Sequence, residues 1–362
     1  MSDIDTVDLQ RAYTGTRPVP PGQAFDTARL AQWLRDNVDG FTAEVTIEQF
    51  RGGQSNPTYL VSDGGQRHVL RRKPTGVLLP SAHAVDREYR VIRALAGSEV
   101  PVPRAYASCE DPAVIGSAFY LMEYVEGRIF WDPTLPDLAA GERAAIYDEL
   151  NRVVAALHRV DPAAVGLADF GRPGHFVERQ VARWTRQYRA SQAEPIEAAE
   201  RLIEWLPQHV PREGETRIVH GDYRLDNVIF DARKPRIVAV LDWELATLGE
   251  PLADFAYHAM SWHLPAGAAR GLAGIDLAAL GIPSAGDYVE RYRSRTGARD
   301  VAAAEWSYYL VFGMFRLVGI LQGVAARARQ GNASSAHAAA AGRRARPLAE
   351  QAWALARSVS ST

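Results

Sequence analysis

At 362 residues, with 47% hydrophobic and 23% charged residues, the chain is long enough to bury two sizeable lobes of one domain. A formal net charge of −2 gives no reason to expect a nucleic acid or a membrane as partner. The single cysteine, Cys109, excludes an internal disulfide and suits a reducing cytoplasm, where it would pack as a small hydrophobe.

Residues 1–24 are polar, carry Pro18, Pro20 and Pro21, and read as a flexible tail without a targeting signal. Val45-Thr46-Ile47 and Tyr59-Leu60-Val61 read as strands, separated by Arg51-Gly52-Gly53-Gln54-Ser55-Asn56, a loop poor in large side chains of the kind that can lie over phosphates. A Gly-Gly pair between strands is also an ordinary hairpin turn, so this loop carries meaning only through its neighbours. His68-Val69-Leu70-Arg71 is the next strand. Ser81 after Pro80 suits a helix N-cap, and Val85, Ile92 and Leu95 follow at helical spacing. Glu88 falls on that apolar face, where a carboxylate is costly unless a cation meets it, and Arg71 is the natural partner. Phe119 to Val125 is a further strand-like run.

Between Phe176 and Tyr188 a helix is expected, with Val177, Val181, Trp184 and Tyr188 on one face. Arg179, Arg183 and Arg186 lie about 200° away and read as a solvated surface, with attraction of an anionic coenzyme as the alternative. Arg217-Ile218-Val219 is a strand running into His220-Gly221-Asp222. Asn227 to Phe230 is another, and Ile237 to Leu241 delivers Asp242 to a strand end. Tyr308 to Phe315 reads as a core helix, far short of the roughly 20 residues that span a bilayer. Residues 331–335 read as a loop, and Leu348 to Ala356 as a final docking helix. His258 and His263 would sit about 140° apart on a helix and so do not easily share a metal.

The spacing of Asp222, Asn227 and Asp242 is the most informative pattern. Transfer of a nucleotide γ-phosphoryl group needs a carboxylate to hold the accepting hydroxyl, and oxygen ligands for Mg²⁺ at the phosphates. Asp222 stands five positions before Asn227, the separation of catalytic Asp and metal-binding Asn in kinases, and Asp242 on the following hairpin completes the metal pair. A hydrolase using Asp222 and Asp242 to activate water would leave Glu88 and the glycine loop unexplained.

The segments His220 to Asn227 and Leu241-Asp242-Trp243-Glu244 resemble the aminoglycoside phosphotransferase and choline kinase-like family. More narrowly, Gly52 to Tyr59 and Leu78 to Tyr89 resemble the kinase domains fused to acyl-CoA dehydrogenases in animals, and their free-standing bacterial relatives. The likeness runs from about Phe25 to His263. It implies an α+β, bilobal protein-kinase-like fold, with a small β-rich N-lobe over residues 25–125 and a larger, mainly helical C-lobe over residues 126–362. It further implies ATP as co-substrate with Mg²⁺, nucleotide contacts from Gly52, Gly53, Gln54, Ser55, Asn56, Arg71 and Glu88, and an adenine-binding hinge at Glu123, Tyr124 and Val125. Arg71 occupies the place where the family has lysine, and Arg72 or Lys73 could hold the phosphates instead. The acceptor implied is a hydroxyacyl-CoA or hydroxy acid, with a functional link to an acyl-CoA dehydrogenase. An aminoglycoside or other amino alcohol, and a nucleotide-binding pseudokinase, are the alternatives. Oligomeric state and the choice of ATP or GTP stay open.

Overall fold

The computed structural model describes residues 14–41, 44–52, 56–74, 84–192, 194–266, 270–329 and 337–360. They fall into two compact units, one of Met1–Val153, Val165–Leu167 and Arg224–Ala246, the other of Val154–Ala164, Ala168–Tyr223 and Thr247–Thr362. The boundary expected at 125/126 therefore differs from the packing, because the hairpin that carries Asn227 and Asp242 belongs to the sheet-bearing unit.

That unit is built on an antiparallel sheet of six strands: β1 (Thr16–Pro18), β2 (Thr46–Phe50), β3 (Thr58–Ser62), β4 (Arg67–Arg72), β5 (Ala105–Cys109) and β6 (Phe119–Glu123), in spatial order 1-2-3-4-6-5. Thr16–Pro18, inside the expected tail, pairs antiparallel with β2, Thr16 opposite Phe50. The prolines there are tolerated because β1 is an edge strand.

Alternation along the central strands sorts the side chains onto two faces. Tyr59, Val61, Leu70, Phe119 and Leu121 point to a core shared with Leu30 and Leu34 of α1 (Thr27–Asn37), and Cys109 is buried in the same core. Asp26 caps α1, accepting from the N–H groups of Ala28 and Arg29 at 3.0 Å. The intervening residues Leu60, Val69, Arg71, Tyr120 and Met122 face a cavity. Helix α2 (Val85–Leu95) buries Val85, Glu88, Val91, Ile92 and Leu95. Ser81 lies outside the described residues; Ala84 occupies the cap position without a side-chain bond, and Asp86 and Glu88 supply negative charge in the first turn instead. The hairpin of β7 (Val228–Phe230) and β8 (Ile237–Val240) completes this unit.

The second unit is mainly helical. Helix α3 (Ala140–Arg159) contributes its first part to the sheet-bearing unit and its last turns to this one. Helices α4 (Phe176–Ser191), α5 (Glu197–Trp205), α6 (Pro251–Ala259), α7 (Ala285–Thr296), α8 (Ala303–Arg329) and α9 (His337–Ser360) follow, together with a two-stranded pair of Arg217–Val219 and Thr247–Gly249. The core helix expected at Tyr308 to Phe315 is present but runs for 27 residues, because Arg316 is accommodated inside the fold and does not end it. By length and composition α8 is apolar enough to cross a membrane; 72% of that apolar stretch is buried within this unit. Leu348, Ala349, Ala352 and Ala356 of α9 join the same core. Residues 331–335 lie outside the described residues.

Candidate active site

Arg71 is the centre of a charged network in the sheet-bearing unit. Its Nε lies 3.0 Å from Glu88 Oε2, its Nη2 is 2.5 Å from Asp242 Oδ1, and Glu244 Oε2 stands 3.7 Å from the same Nη2. Asn56 Nδ2 donates to Glu88 Oε1 at 2.8 Å and to Glu244 Oε2 at 3.3 Å, and Tyr120 Oη donates to Glu88 Oε2 at 3.2 Å. Glu88 is fully buried, so the inward-facing carboxylate does meet its cation. Burial, with Asp242 and Glu244 adding to it, pushes the Glu88 carboxyl up to about 7 although Arg71 and Tyr120 oppose the rise. Burial disfavours the Arg71 charge, but the facing carboxylates outweigh it and hold the guanidinium well above its ordinary value.

Strand alternation puts Arg71 and Arg72 on opposite faces, and of Arg71, Arg72 and Lys73, Arg71 lines the cavity. Arg72 points to the opposite side, where it donates to the Ile115 carbonyl at 3.2 Å and covers the Phe25 ring at 5.0 Å. Arg71 lines the cavity together with Asn227 and Asp242. Asn227 precedes β7, and its carbonyl accepts the Leu241 N–H at 2.8 Å, so Asn227 and Asp242 emerge at the same end of the hairpin. Asp242 adopts a left-handed backbone, φ 63° and ψ 58°, uncommon for a residue with a Cβ and found where a side chain must be aimed.

The cavity is about 980 Å³; Leu60 and Val69 from the sheet and Ile229 and Val240 from the hairpin give it an apolar stretch, and Arg67, Arg128, Asp132 and Asp137 also line it. Tyr124 and Val125 lie at its rim; Tyr124 stacks near Phe50 and sits under Arg67, 4.3 Å from guanidinium carbon to ring centroid. Glu123 also lines the cavity; its N–H is engaged by the Arg104 carbonyl, and its carboxylate accepts the Arg104 N–H at 3.1 Å. Gly52 also lines the cavity. Gly53, Gln54 and Ser55 lie outside the described residues. Asn56 serves the Arg71 network, a role that the loop pattern did not reveal because its partners are 32 and 188 residues away.

An oxygen donor set of one carboxylate and one amide suits Mg²⁺, which keeps several waters and phosphate oxygens in its shell and needs few protein ligands. Among the described residues no cluster of three or more His, Cys, Asp or Glu is arranged for a metal. Asn227 and Asp242 thus fit a phosphate-bridged Mg²⁺ and not a metal held by protein alone.

In the helical unit, the loop bearing Asp222 is braced from behind. Asp254 accepts the N–H groups of His220 and Gly221, each at 2.8 Å, and His158 Nε2 at 3.1 Å. Burial raises the Asp254 carboxyl, but the His158 bond and the charges of His158 and His220 dominate and bring it down to about 2. His158 faces this carboxylate through Nε2, and its Nδ1 lies 2.7 Å from Tyr292 Oη. His220 is fully buried and its Nδ1 accepts the Asp222 N–H at 3.2 Å; it is a loop brace. Gly221, at φ 82°, makes the turn before Asp222. His258 is a core histidine: Nδ1 donates to the Tyr223 carbonyl at 3.2 Å and Nε2 accepts from Tyr288 Oη at 2.7 Å. Burial lowers it to about 4, so the ring is neutral. From the sequence, Asp254 is expected to support the site from behind or to cap a helix, which its bonds to the loop bear out, whereas His158 was missed because it lies 96 residues from Asp254.

Comparison with known proteins places this arrangement. The model of the phosphotransferase enzyme family matches residues 46–291. Acyl-CoA dehydrogenase family member 10 of Mus musculus is 45% identical over 348 residues, covering 95% of this chain and 32% of the relative. Acyl-CoA dehydrogenase family member 11 of Homo sapiens is 39% identical, covering 95% of this chain and 45% of the relative. The chain thus spans less than half the length of these curated relatives. A crystal structure from Ralstonia eutropha, provisionally assigned as an aminoglycoside phosphotransferase, is 52% identical with TM-score 0.84 over 92% of this chain and 99% of its own. Aminoglycoside phosphotransferase APH(4)-Ia, at 16% identity and TM-score 0.61 over 93% of this chain and all of its own, shares the fold. The chain belongs to the phosphotransferase enzyme family, with the α+β, protein-kinase-like fold of the aminoglycoside phosphotransferases.

Proposed function

We propose that the protein transfers the γ-phosphoryl group of ATP, with Mg²⁺, to the hydroxyl of a hydroxyacyl-CoA or hydroxy acid. The observation that carries the reading is the meeting of Arg71, Asn227 and Asp242 at one polar end of a cavity of about 980 Å³ that also takes in Tyr124 and Val125. An adenine would lie in the apolar part against Tyr124 and Val125, and the phosphates would extend to the polar end. Asn227 and Asp242 would hold Mg²⁺, which when bound neutralises charge on the transferring group. Arg71, fixed by Glu88 and Tyr120, would hold phosphate oxygens bidentately where a lysine would act as a point charge. Asp222, five residues before Asn227 on a loop braced by Asp254 and His220, would orient the acceptor hydroxyl and take its proton.

The acceptor class rests on the relatives. Proteins named as acyl-CoA dehydrogenase family members carry a segment about 40% identical to nearly all of this chain, which supports an acyl-CoA-related acceptor. The near-neutral net charge does not suggest the acidic cleft that a polycationic aminoglycoside needs. The test is Mg²⁺-dependent ATP turnover against hydroxyacyl-CoAs, free hydroxy acids, aminoglycosides and choline, with Asp222→Asn as control. Turnover restricted to aminoglycosides would overturn the acceptor assignment.

A further inference from the structure

In the helical unit, Arg316 reaches the loop of Asp222 and shares the Trp184 ring with Arg183, and Arg186 lies three residues further along the same helix as Arg183. Arg316 of α8 is 9% exposed, lies 4.1 Å from the Tyr257 ring centroid and 5.2 Å from that of Trp184, and donates to the Gly221 carbonyl. Its Nε is buried and has no hydrogen-bond partner among the described residues. Arg183 of α4 stands against the same indole, 5.5 Å from its centroid, with its side chain otherwise exposed. Partial burial lowers the Arg183 pKa, and the charges of Arg316 and Arg186 lower it further, so the three charges are near enough to repel.

The contrast along α4 is informative. Arg179 is spent on the carbonyls of Gly174 and Arg172, and Arg189 is paired with Glu200 at 2.9 Å. Among the described residues Arg183 and Arg186 make no such pairing, and Arg316 engages the Gly221 carbonyl while its Nε stays unpartnered. Contact with the Trp184 and Tyr257 rings favours each guanidinium singly but does not offset their mutual repulsion; an anion that enters from solvent would relieve it and occupy their donors. We infer that Arg183, Arg186 and Arg316 form an anion-binding subsite for the phosphate acceptor, recognising a phosphate or carboxylate that the acceptor carries apart from its reacting hydroxyl. Arg316 joins this subsite to the Gly221 carbonyl, so binding of the anion is coupled to the position of the residue next to Asp222.

This inference deepens the proposed acceptor reading, and it is tested by binding so that it can fail separately. Full-length Asp222→Asn protein is saturated with ADP and Mg²⁺, which keeps the nucleotide cavity filled. A short-chain hydroxyacyl-CoA, the matching hydroxyacyl-pantetheine and the free hydroxy acid are then titrated calorimetrically. The expected result is binding of the CoA thioester at least tenfold tighter than of the uncharged pantetheine thioester, with the difference falling steeply as salt rises. Combining Arg183→Ala with Arg186→Ala should shrink that ratio tenfold or more, and Arg189→Ala on the same helix should not change it. Arg316→Lys, which keeps the charge but loses the fork, should shrink it as well. Preference for the free hydroxy acid over the pantetheine thioester would assign the subsite to a carboxylate. Equal binding of all three probes, or a ratio unmoved in the double variant, overturns the subsite while leaving phosphoryl transfer to a neutral acceptor intact. Tight, arginine-dependent CoA binding without turnover in the Asp222 enzyme would instead overturn the proposed reaction and keep the subsite.

Discussion

Asp242 Oδ1 stands 2.5 Å from Arg71 Nη2 while Arg71 Nε meets Glu88 at 3.0 Å, so one guanidinium joins a buried carboxylate to the residue proposed to bind metal. Lysine offers one point charge and cannot span both. Arg71→Met is expected to destabilise the protein by about 3 kcal/mol, since it leaves Glu88 buried without its cation. Chemical denaturation of the single variant, and of its combination with Glu88→Gln, measures this. The double variant should recover part of the loss, and a double variant no more stable than Arg71→Met would show that the pairing is not the source.

Asp222→Asn is expected to lower turnover by roughly 10²–10⁴-fold, the usual contribution of a positioned general base. Nucleotide affinity should change less than about twofold, because the side chain is assigned to the acceptor. Parallel loss of ATP binding would count against Asp222 as the base.

Asp242→Gly separates stability from binding. Glycine adopts φ 63° freely, so the variant should be as stable as the parent or gain about 1 kcal/mol. Its Mg²⁺-dependent nucleotide affinity should disappear. A thermal melt and a nucleotide titration with and without Mg²⁺ check both halves; retained Mg²⁺-dependence would remove Asp242 from the metal pair.

The fold should weaken in acid in two windows. His258 has a folded pKa depressed from 6.5 to about 4, so stability is full above 6.5 and is lost as pH falls toward 4, when only the unfolded chain takes the proton. The loss amounts to at most about 3 kcal/mol. Asp254, depressed from 3.8 to about 2, acts by the same sign below pH 4. Replacing His258 with Asn should flatten the first window in a denaturation series at stepped pH, and an unchanged slope there would exclude His258 as its source.

The pairing of Asn227 with Asp242 was legible in the sequence because one hairpin carries both, where local pattern and local geometry coincide, and their roles with Asp222 belong to the proposed reading. The Arg71 and Glu88 pairing was legible too, since an acid on an apolar helix face demands a cation. The role of Asn56 in that network and that of His158 were not, because each acts on partners 32 or more residues away and short polar side chains carry no periodicity. The strand Thr16–Pro18 was hidden by prolines that an edge position tolerates, and the full α8 by an arginine that ends an apolar run without ending a helix.

Gly127 has no room for a side chain: a Cβ there would come within 2.1 Å of the Phe230 carbonyl oxygen, and Arg128 and Phe230 exchange both backbone hydrogen bonds, at 2.7 and 2.8 Å. The segment that leaves Tyr124 and Val125 is thereby fastened to the strand that begins one residue after Asn227. On the proposed reading, the cavity is a ruler: base and phosphates are gauged from one packed body, and a nucleotide fits or fails by its own length before any acceptor arrives.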